Sequence, residues 1–331
     1  MKSLHPIVLF VLLTLNVTGQ QSLFDTFEEV DLLKVTLKTA FNPLISDKSN
    51  EEYQPAIFEY EDAEGNTITY EMKVKQRGKY RRRICEMPPL KLDFDKDELK
   101  ENGLSKQDQM KLVTHCIDDP SSKETIVKEY LVYKMYNELT PYSLRVQLVK
   151  IVYEDTETNS KIKQFGFLIE DIDELADRLG GEEIEPINLE KELLHTRQEA
   201  LAASFNYLIG NSDWDTPTLR NVKLIKTKDS TNVLVIPYDF DFAGIVNAPY
   251  AIPNINLGLT SIQQRAFMGL NQEKELLAPI KRFLDSKQDE LYSIIESCKH
   301  LPRTSRSEMV GYLETFYHPN LNEQELFHAF K

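Results

Sequence analysis

Ile209-Gly210-Asn211-Ser212-Asp213-Trp214-Asp215, followed by Asn221 and then by Ile236-Pro237-Tyr238-Asp239-Phe240-Asp241-Phe242, is the stretch on which the reading of the chain turns. Between residues 209 and 242 it collects Asp213, Asp215, Asp239 and Asp241 with Asn211 and Asn221. Upstream, Leu193, Leu194, Ala200, Leu201, Phe205 and Leu208 keep a helical rhythm, which predicts a helix over 189–209 capped by Gly210. Asn221 to Lys226 and Val233 to Tyr238 read as short strands around the polar turn Lys228-Asp229-Ser230. The second strand then delivers Asp239 and Asp241 at its end, two residues apart and on one face. Two carboxylates side by side are costly unless a cation lies between them. Hard oxygen donors such as these suit Mg²⁺, Mn²⁺ or Ca²⁺ better than zinc. A plainer reading stands beside this one. Asp213 and Asp215 are also ordinary loop residues after a helix, Asp239 a turn cap and Asp241 an arginine partner. The flanking Tyr238, Phe240 and Phe242 imply partial burial and tilt the balance towards a metal and phosphate site.

Working outward, the first half reads as sheet. Ala56 to Tyr60 and Ile68 to Val74 flank Glu64-Gly65-Asn66 as a β-hairpin. Leu90, Leu92 and Phe94 alternate on one face of a half-buried strand, with Lys91 on the other. Met110 to Cys116, Val146 to Tyr153 and Ile162 to Glu170 are further strands. Ser121 and Glu124 form a capping box that opens a helix to Leu139. From Leu189 onward helices dominate, with patterns near 260–270, 272–298, 307–316 and 322–330. The expected organisation is a signal segment over 1–19, a sheet-rich N-terminal lobe over 20–180 and a mostly helical C-terminal lobe over 181–331.

The 331 residues carry a net charge of −14, which argues against a nucleic-acid backbone as partner. The basic run Lys79, Arg81, Arg82 and Arg83 is too short to reverse that. Lys2 and the apolar run Ile7 to Val17 read as a cleavable export signal, shorter than the roughly 20 residues of a membrane span. The expectation is an exported protein without stable membrane insertion. Export permits a disulfide, and Cys85 with Cys116 is the favoured pair among Cys85, Cys116 and Cys298, although three free thiols remain an alternative.

The central stretch resembles the spore coat protein H (CotH) family of secreted, atypical kinase-fold proteins. In that family an Asn-x-Asp-Trp loop, an Asn and an aromatic-Asp-x-Asp strand end recur in this order. Here Asn211 to Trp214, Asn221 and Tyr238 to Asp241 match them. Arg77-Gly78, then Pro88-Pro89-Leu90-Lys91-Leu92, resembles the family's Arg-Gly and lysine-bearing strand. The resemblance spans about 70 to 250. It implies an α+β, bilobal, protein-kinase-like fold with an N-terminal antiparallel sheet lobe and a helical C-terminal lobe. It also implies ATP-dependent phosphorylation of protein Ser/Thr hydroxyls, including the enzyme's own, with Mg²⁺ or Mn²⁺.

Carried over by position, Asp213 is the catalytic aspartate, Asn221 and Asp239 are metal ligands, and Asp241 is a second metal candidate. Lys91 or Lys111 contacts the nucleotide phosphates, and Glu170 sits near the adenine or orients the lysine. Asp213 precedes Asn221 by eight positions, against about five in kinase catalytic loops. Either the insertion with Pro217 loops out or Asp215 takes the catalytic role. No G-x-G-x-x-G stretch is present. The alternative functions are a catalytically inactive binding module and a metal-stabilised structural protein.

Overall fold

The computed structural model describes residues 20–186, 189–228, 232–270 and 273–317. The expected export signal over 1–19 and the helix near 322–330 lie outside these residues, as do parts of the turn at 228–230.

The described strands are β1 (Leu33–Thr39), β2 (Gln54–Glu61), β3 (Thr67–Gln76), β4 (Leu90–Phe94), β5 (Gln109–Val113), β6 (Val146–Asp155), β7 (Lys161–Glu170), β8 (Gly181–Ile184), β9 (Val222–Thr227) and β10 (Val233–Pro237). The short helix α1 (Leu23–Phe27) precedes β1, and the short helices α2 (Phe41–Ser46), α3 (Tyr80–Ile84), α4 (Lys96–Glu101) and α6 (Ile172–Arg178) lie between strands. The longer ones are α5 (Pro120–Leu139), α7 (Thr196–Ile209), α8 (Lys274–Ser286), α9 (Gln288–Glu296) and α10 (Arg303–Tyr317).

Strands β1 to β7 form a closed barrel in the order β1-β2-β3-β4-β5-β7-β6. All neighbours are antiparallel except the closing pair, where β6 runs parallel to β1 from Leu33↔Val149 to Thr39↔Asp155. A separate small sheet has the order β10-β9-β8. The expected bilobal, kinase-like fold is therefore corrected. The first half is a closed mixed barrel instead of an open antiparallel lobe, and the second half carries its own sheet. Local alternation reports which face of a strand is apolar. It carries no trace of a parallel pairing between segments more than a hundred residues apart.

The barrel interior is filled by Phe58, Val74, Leu90, Leu92, Phe94, Met110, Leu112, Val149 and Ile151. Closure leaves no sheet edge in this layer. A second core packs the outer faces of β5, β6 and β7 against α5 to α10. It runs from Val113 through Tyr136, Phe205 and Phe240 to Phe316, so it joins residues on both sides of position 180. Among the described residues, no helix is long and apolar enough to cross a membrane.

Several local expectations shift. Asp119, not Ser121, caps α5: its carboxylate accepts from Ser121 N at 2.6 Å, with Pro120 in the first turn. α7 starts at Thr196 because Leu194 and His195 pair with Val233 at the edge of the small sheet. Gly210 is the left-handed C-cap (φ 68°), as the sequence suggests. Residues 260–270 are irregular; Arg265 there donates to the Leu208 carbonyl at 3.1 Å and lies over the Tyr312 ring. The long helix expected over 272–298 breaks at Lys287 into α8 and α9. Cys85 and Cys116 form a disulfide, which ties the end of α3 to the segment after β5, and Cys298 is free.

Candidate functional site

A cleft of about 1030 Å³ separates the barrel's outer face from the loops that follow α7 and β10. One wall is cationic. Along β3, Val74 and Gln76 are buried, so Lys75 and then Arg77 face outward. Gly78, at φ 79°, turns the chain into α3 in a conformation that a side chain strains. Lys75, Arg77, Lys79 and Arg81 all line the cleft. Lys75, Lys91 and Lys111 stand opposite one another in register across β3, β4 and β5. Like charges directly opposite on neighbouring strands are destabilising. Lys111 ends 5.5 Å from the centre of the Tyr238 ring. Burial, reinforced by Arg77, brings Lys111 down to about 8.

The other wall is acidic, and its loops explain why. After Gly210, the Asn211 carbonyl oxygen of the side chain accepts from Asp213 N at 3.0 Å. Trp214 is buried with Val222, Leu224, Val233 and Val235, and so anchors the loop as core. Asp215 and Arg220 pair through their backbones, closing 215–220 into a loop. The Asp215 carboxylate accepts from Thr218 N at 2.9 Å and Thr218 Oγ1 at 2.6 Å. The eight-position step is thereby looped out. Asp213 and Asn221 meet at its feet: Asn221 Nδ2 donates to Asp213 Oδ2 at 3.1 Å and to the Asp213 carbonyl at 2.6 Å.

β10 stops at Pro237, so strand alternation does not place Asp239 and Asp241. Asp239 instead adopts a left-handed backbone (φ 62°), with its N–H donating to the Tyr133 hydroxyl at 2.8 Å. Phe240 turns inward against Tyr133 and Phe205. Both aspartates line the cleft nonetheless. Leu219 (φ 54°) and Asn221 (φ 52°) are left-handed too, so strained backbone collects at this wall.

At the floor, Asp241 is 4% exposed and accepts from the Tyr250 hydroxyl at 3.1 Å. Burial, then the charge of Asp239, pushes Asp241 up to about 7. Glu129 on α5 is 1% exposed, and neither of its oxygens has a hydrogen-bond partner. Its nearest ionic partner is Arg81, at 3.8 Å, and Arg81 also donates to the Thr114 carbonyl. Burial and then Asp241 hold the Glu129 carboxyl well above the ordinary range. Burial raises Asp213 as well; Asp239 adds to this, while Arg220 and Asn221 oppose it.

Of the residues expected from sequence, Asp213, Asn221, Asp239 and Asp241 thus share one cleft. Asp215 does not line it and serves the loop. Lys111 borders it, since its strand partner Ile169 and its ring partner Tyr238 both line the cleft. Lys91 sits in the lysine row behind. Glu170 lies elsewhere, fully buried between Arg145 and Arg178. Sequence reading missed Lys75, Arg81 and Glu129. Glu129 had a signal: it falls three positions after Ile126 and four before Tyr133, on the apolar stripe of α5.

Among the described residues, no three Asp, Glu, His or Cys side chains gather closely enough to hold a metal ion alone. Comparison of the chain with protein-family models and with curated proteins returns no match.

Proposed function

We propose that the cleft transfers the γ-phosphoryl group of ATP to a Ser or Thr hydroxyl of a polypeptide, the chain itself included. The observation that carries this reading is the facing of the two walls. Lys75, Arg77, Lys79 and Arg81 line one side of the cavity and Asp213, Asn221, Asp239 and Asp241 the other, with Lys111 bordering it and Lys91 behind in register with Lys75. The cationic wall suits phosphate oxygens. The acidic wall suits a hydroxyl nucleophile and a hard cation.

Mg²⁺ or Mn²⁺ fits this donor set, because such ions are held by one or two carboxylates together with substrate phosphates, without a complete protein cage. Asp239, Asp241 and Asn221 would hold it, and it would neutralise charge on the phosphates. Asp213 orients the acceptor hydroxyl and accepts its proton, while the hydroxyl oxygen bonds to the γ-phosphorus and ADP leaves. Asn221 fixes the Asp213 carboxylate for that task. The resemblance of the Asn211–Trp214 and Tyr238–Asp241 segments to CotH proteins supports the same reaction. The Cys85–Cys116 disulfide supports an exported protein.

Incubation of the purified protein with γ-labelled ATP and Mn²⁺ tests the reading. Label is expected in the wild-type protein or an added polypeptide, and not in Asp213→Asn or Asp239→Asn. Equal labelling of all three, or none in the wild type, overturns it.

A further inference from the structure

Eight large apolar side chains stand exposed among the described residues. Three of them, Tyr80, Ile252 and Ile255, line the cleft, and two more, Ile84 and Ile117, line a smaller cavity that shares Arg81 with it. Ile255 is 79% exposed and Ile252 63%. Both lie on the lip of the cleft, in a segment held by Asn254 Nδ2 donating to the Ser212 carbonyl at 3.0 Å. An apolar cluster of this kind on an otherwise charged surface marks an interaction site.

The opposite lip is α3, whose Tyr80 hydroxyl donates to the Tyr250 carbonyl at 3.3 Å and so bridges the two sides. Behind α3 lies a second cavity of about 260 Å³, walled by Ile84, Ile117, Ile126, Pro249 and Tyr250. Two of its hydroxyls are already engaged: Ser122 Oγ accepts from Ile117 N at 3.3 Å, and Thr125 Oγ1 donates to the Ser121 carbonyl at 3.0 Å. The cavity therefore asks for an apolar occupant. It is smaller than the roughly 300–1,000 Å³ of small-molecule sites and suits a single side chain. Arg81 and Tyr250 separate it from the floor of the main cleft.

Charge selects the rest of the partner. The chain carries −14 net, which repels acidic partners over most of its surface. Lys79 and Arg83 place positive charge on the lip that also carries Tyr80 and Ile84, while Arg82 beside them is paired with Glu51 at 2.8 Å. An acidic segment approaches most favourably there.

We infer that this mouth docks a polypeptide segment pairing an aliphatic side chain with neighbouring acidic residues. The side chain seats in the small cavity or against Ile252 and Ile255. Calling that polypeptide the phosphoryl acceptor rests on the function proposed above; the docking itself does not. The concave shape favours a polypeptide over a bilayer, which meets protruding surfaces.

The test uses the full chain, without nucleotide or metal, and a positional library of synthetic peptides around a fixed serine. Selection of aliphatic together with acidic residues is expected. Fluorescence anisotropy should show the selected peptide binding about tenfold more weakly to Ile255→Glu, Ile84→Glu and Lys79→Glu. These side chains are exposed, so unchanged melting curves confirm that the variants fold. No selection, selection of basic residues, or equal binding by all variants overturns the inference. So does co-sedimentation with phosphatidylglycerol vesicles that Ile255→Glu abolishes while peptide binding stays absent. Peptide selection without label transfer leaves the docking surface standing and removes the phosphoryl-transfer reading. Label transfer without peptide selection does the reverse.

Discussion

Among the described residues, two clusters of charge are built on opposite terms. In the first, Arg145 donates to Asp25 at 2.6 Å, Glu28 at 2.8 Å and Glu174 at 2.7 Å, and also to Glu170. Arg178 closes the far side of Glu170 at 2.8 Å, and the Ser22 hydroxyl donates to Glu174 at 2.5 Å. The cluster fastens α1 to the end of β7 and to α6, and its carboxylates are met by cations and hydroxyls. In the second cluster, Glu129 lies behind Arg81 at the cleft floor and has no hydrogen-bond partner, Arg81 Nε is likewise unpartnered, and Asp241 accepts from the Tyr250 hydroxyl. A buried polar group without partners costs about 1–3 kcal/mol, more when charged. The first cluster is complete as it stands. The second leaves buried polar atoms without hydrogen-bond partners.

The comparison breaks if the two clusters respond alike. The largest effect is expected at Arg145. Arg145→Met removes the cation from buried Glu174 and leaves buried Glu170 with Arg178 alone, and should cost about 3–5 kcal/mol of stability by denaturant titration, without altering label transfer per folded molecule. Next, Asp213→Asn should lower label transfer by about a hundredfold, near 2.7 kcal/mol of barrier, while leaving the unfolding midpoint in place.

A pH series separates the clusters further. The folded protein holds Asp241 near 7, raised by burial and Asp239, and holds Glu174 near 7, raised by burial first. A raised carboxyl contributes stability that is fully present below its unfolded value, near 4, and is lost as pH climbs to about 7. Melting temperature should therefore fall over that window. The decline should be shallower in Asp241→Asn, where the contributions of Glu174 and Glu129 remain. Identical slopes would contradict the assignment at the floor. Mn²⁺ with ATP should restore more stability above pH 7 than at pH 5, because its ligands must be ionised. The smallest effect belongs to Asp215→Ala. Loss of the Thr218 contacts should cost about 1 kcal/mol and reduce label transfer only a few fold.

The contrast also shows what the sequence could carry. The hairpin at Gly65, the strands from β4 to β7 and the C-cap at Gly210 follow from local patterns, and they were legible. Closure of the barrel through β1 and β6 was not, because a parallel register between distant strands leaves no periodic mark. The kinase-like lobes inferred from motif order failed at that point. Within the site, Asp213, Asn221, Asp239 and Asp241 were visible as a density of oxygen donors. Their convergence rests on a closed loop and a left-handed Asp239, features invisible to alternation. Glu170 entered only through the resemblance, and the structure places it away from the cleft, between Arg145 and Arg178. Lys75 was hidden inside an ordinary hairpin strand, and only the in-register row gives it meaning.

The central proposal is that the aspartates of the cleft, facing Lys75 and Arg77, receive a metal–phosphate ligand. The most direct measurement is calorimetric titration of ATP with Mn²⁺ at pH 7.5 into the wild-type protein, Arg77→Ala and Asp239→Asn. Saturable one-site binding in the wild type, weakened about tenfold or more in each variant, is the predicted result. No binding to the wild type, or equal binding to all three proteins, would contradict it.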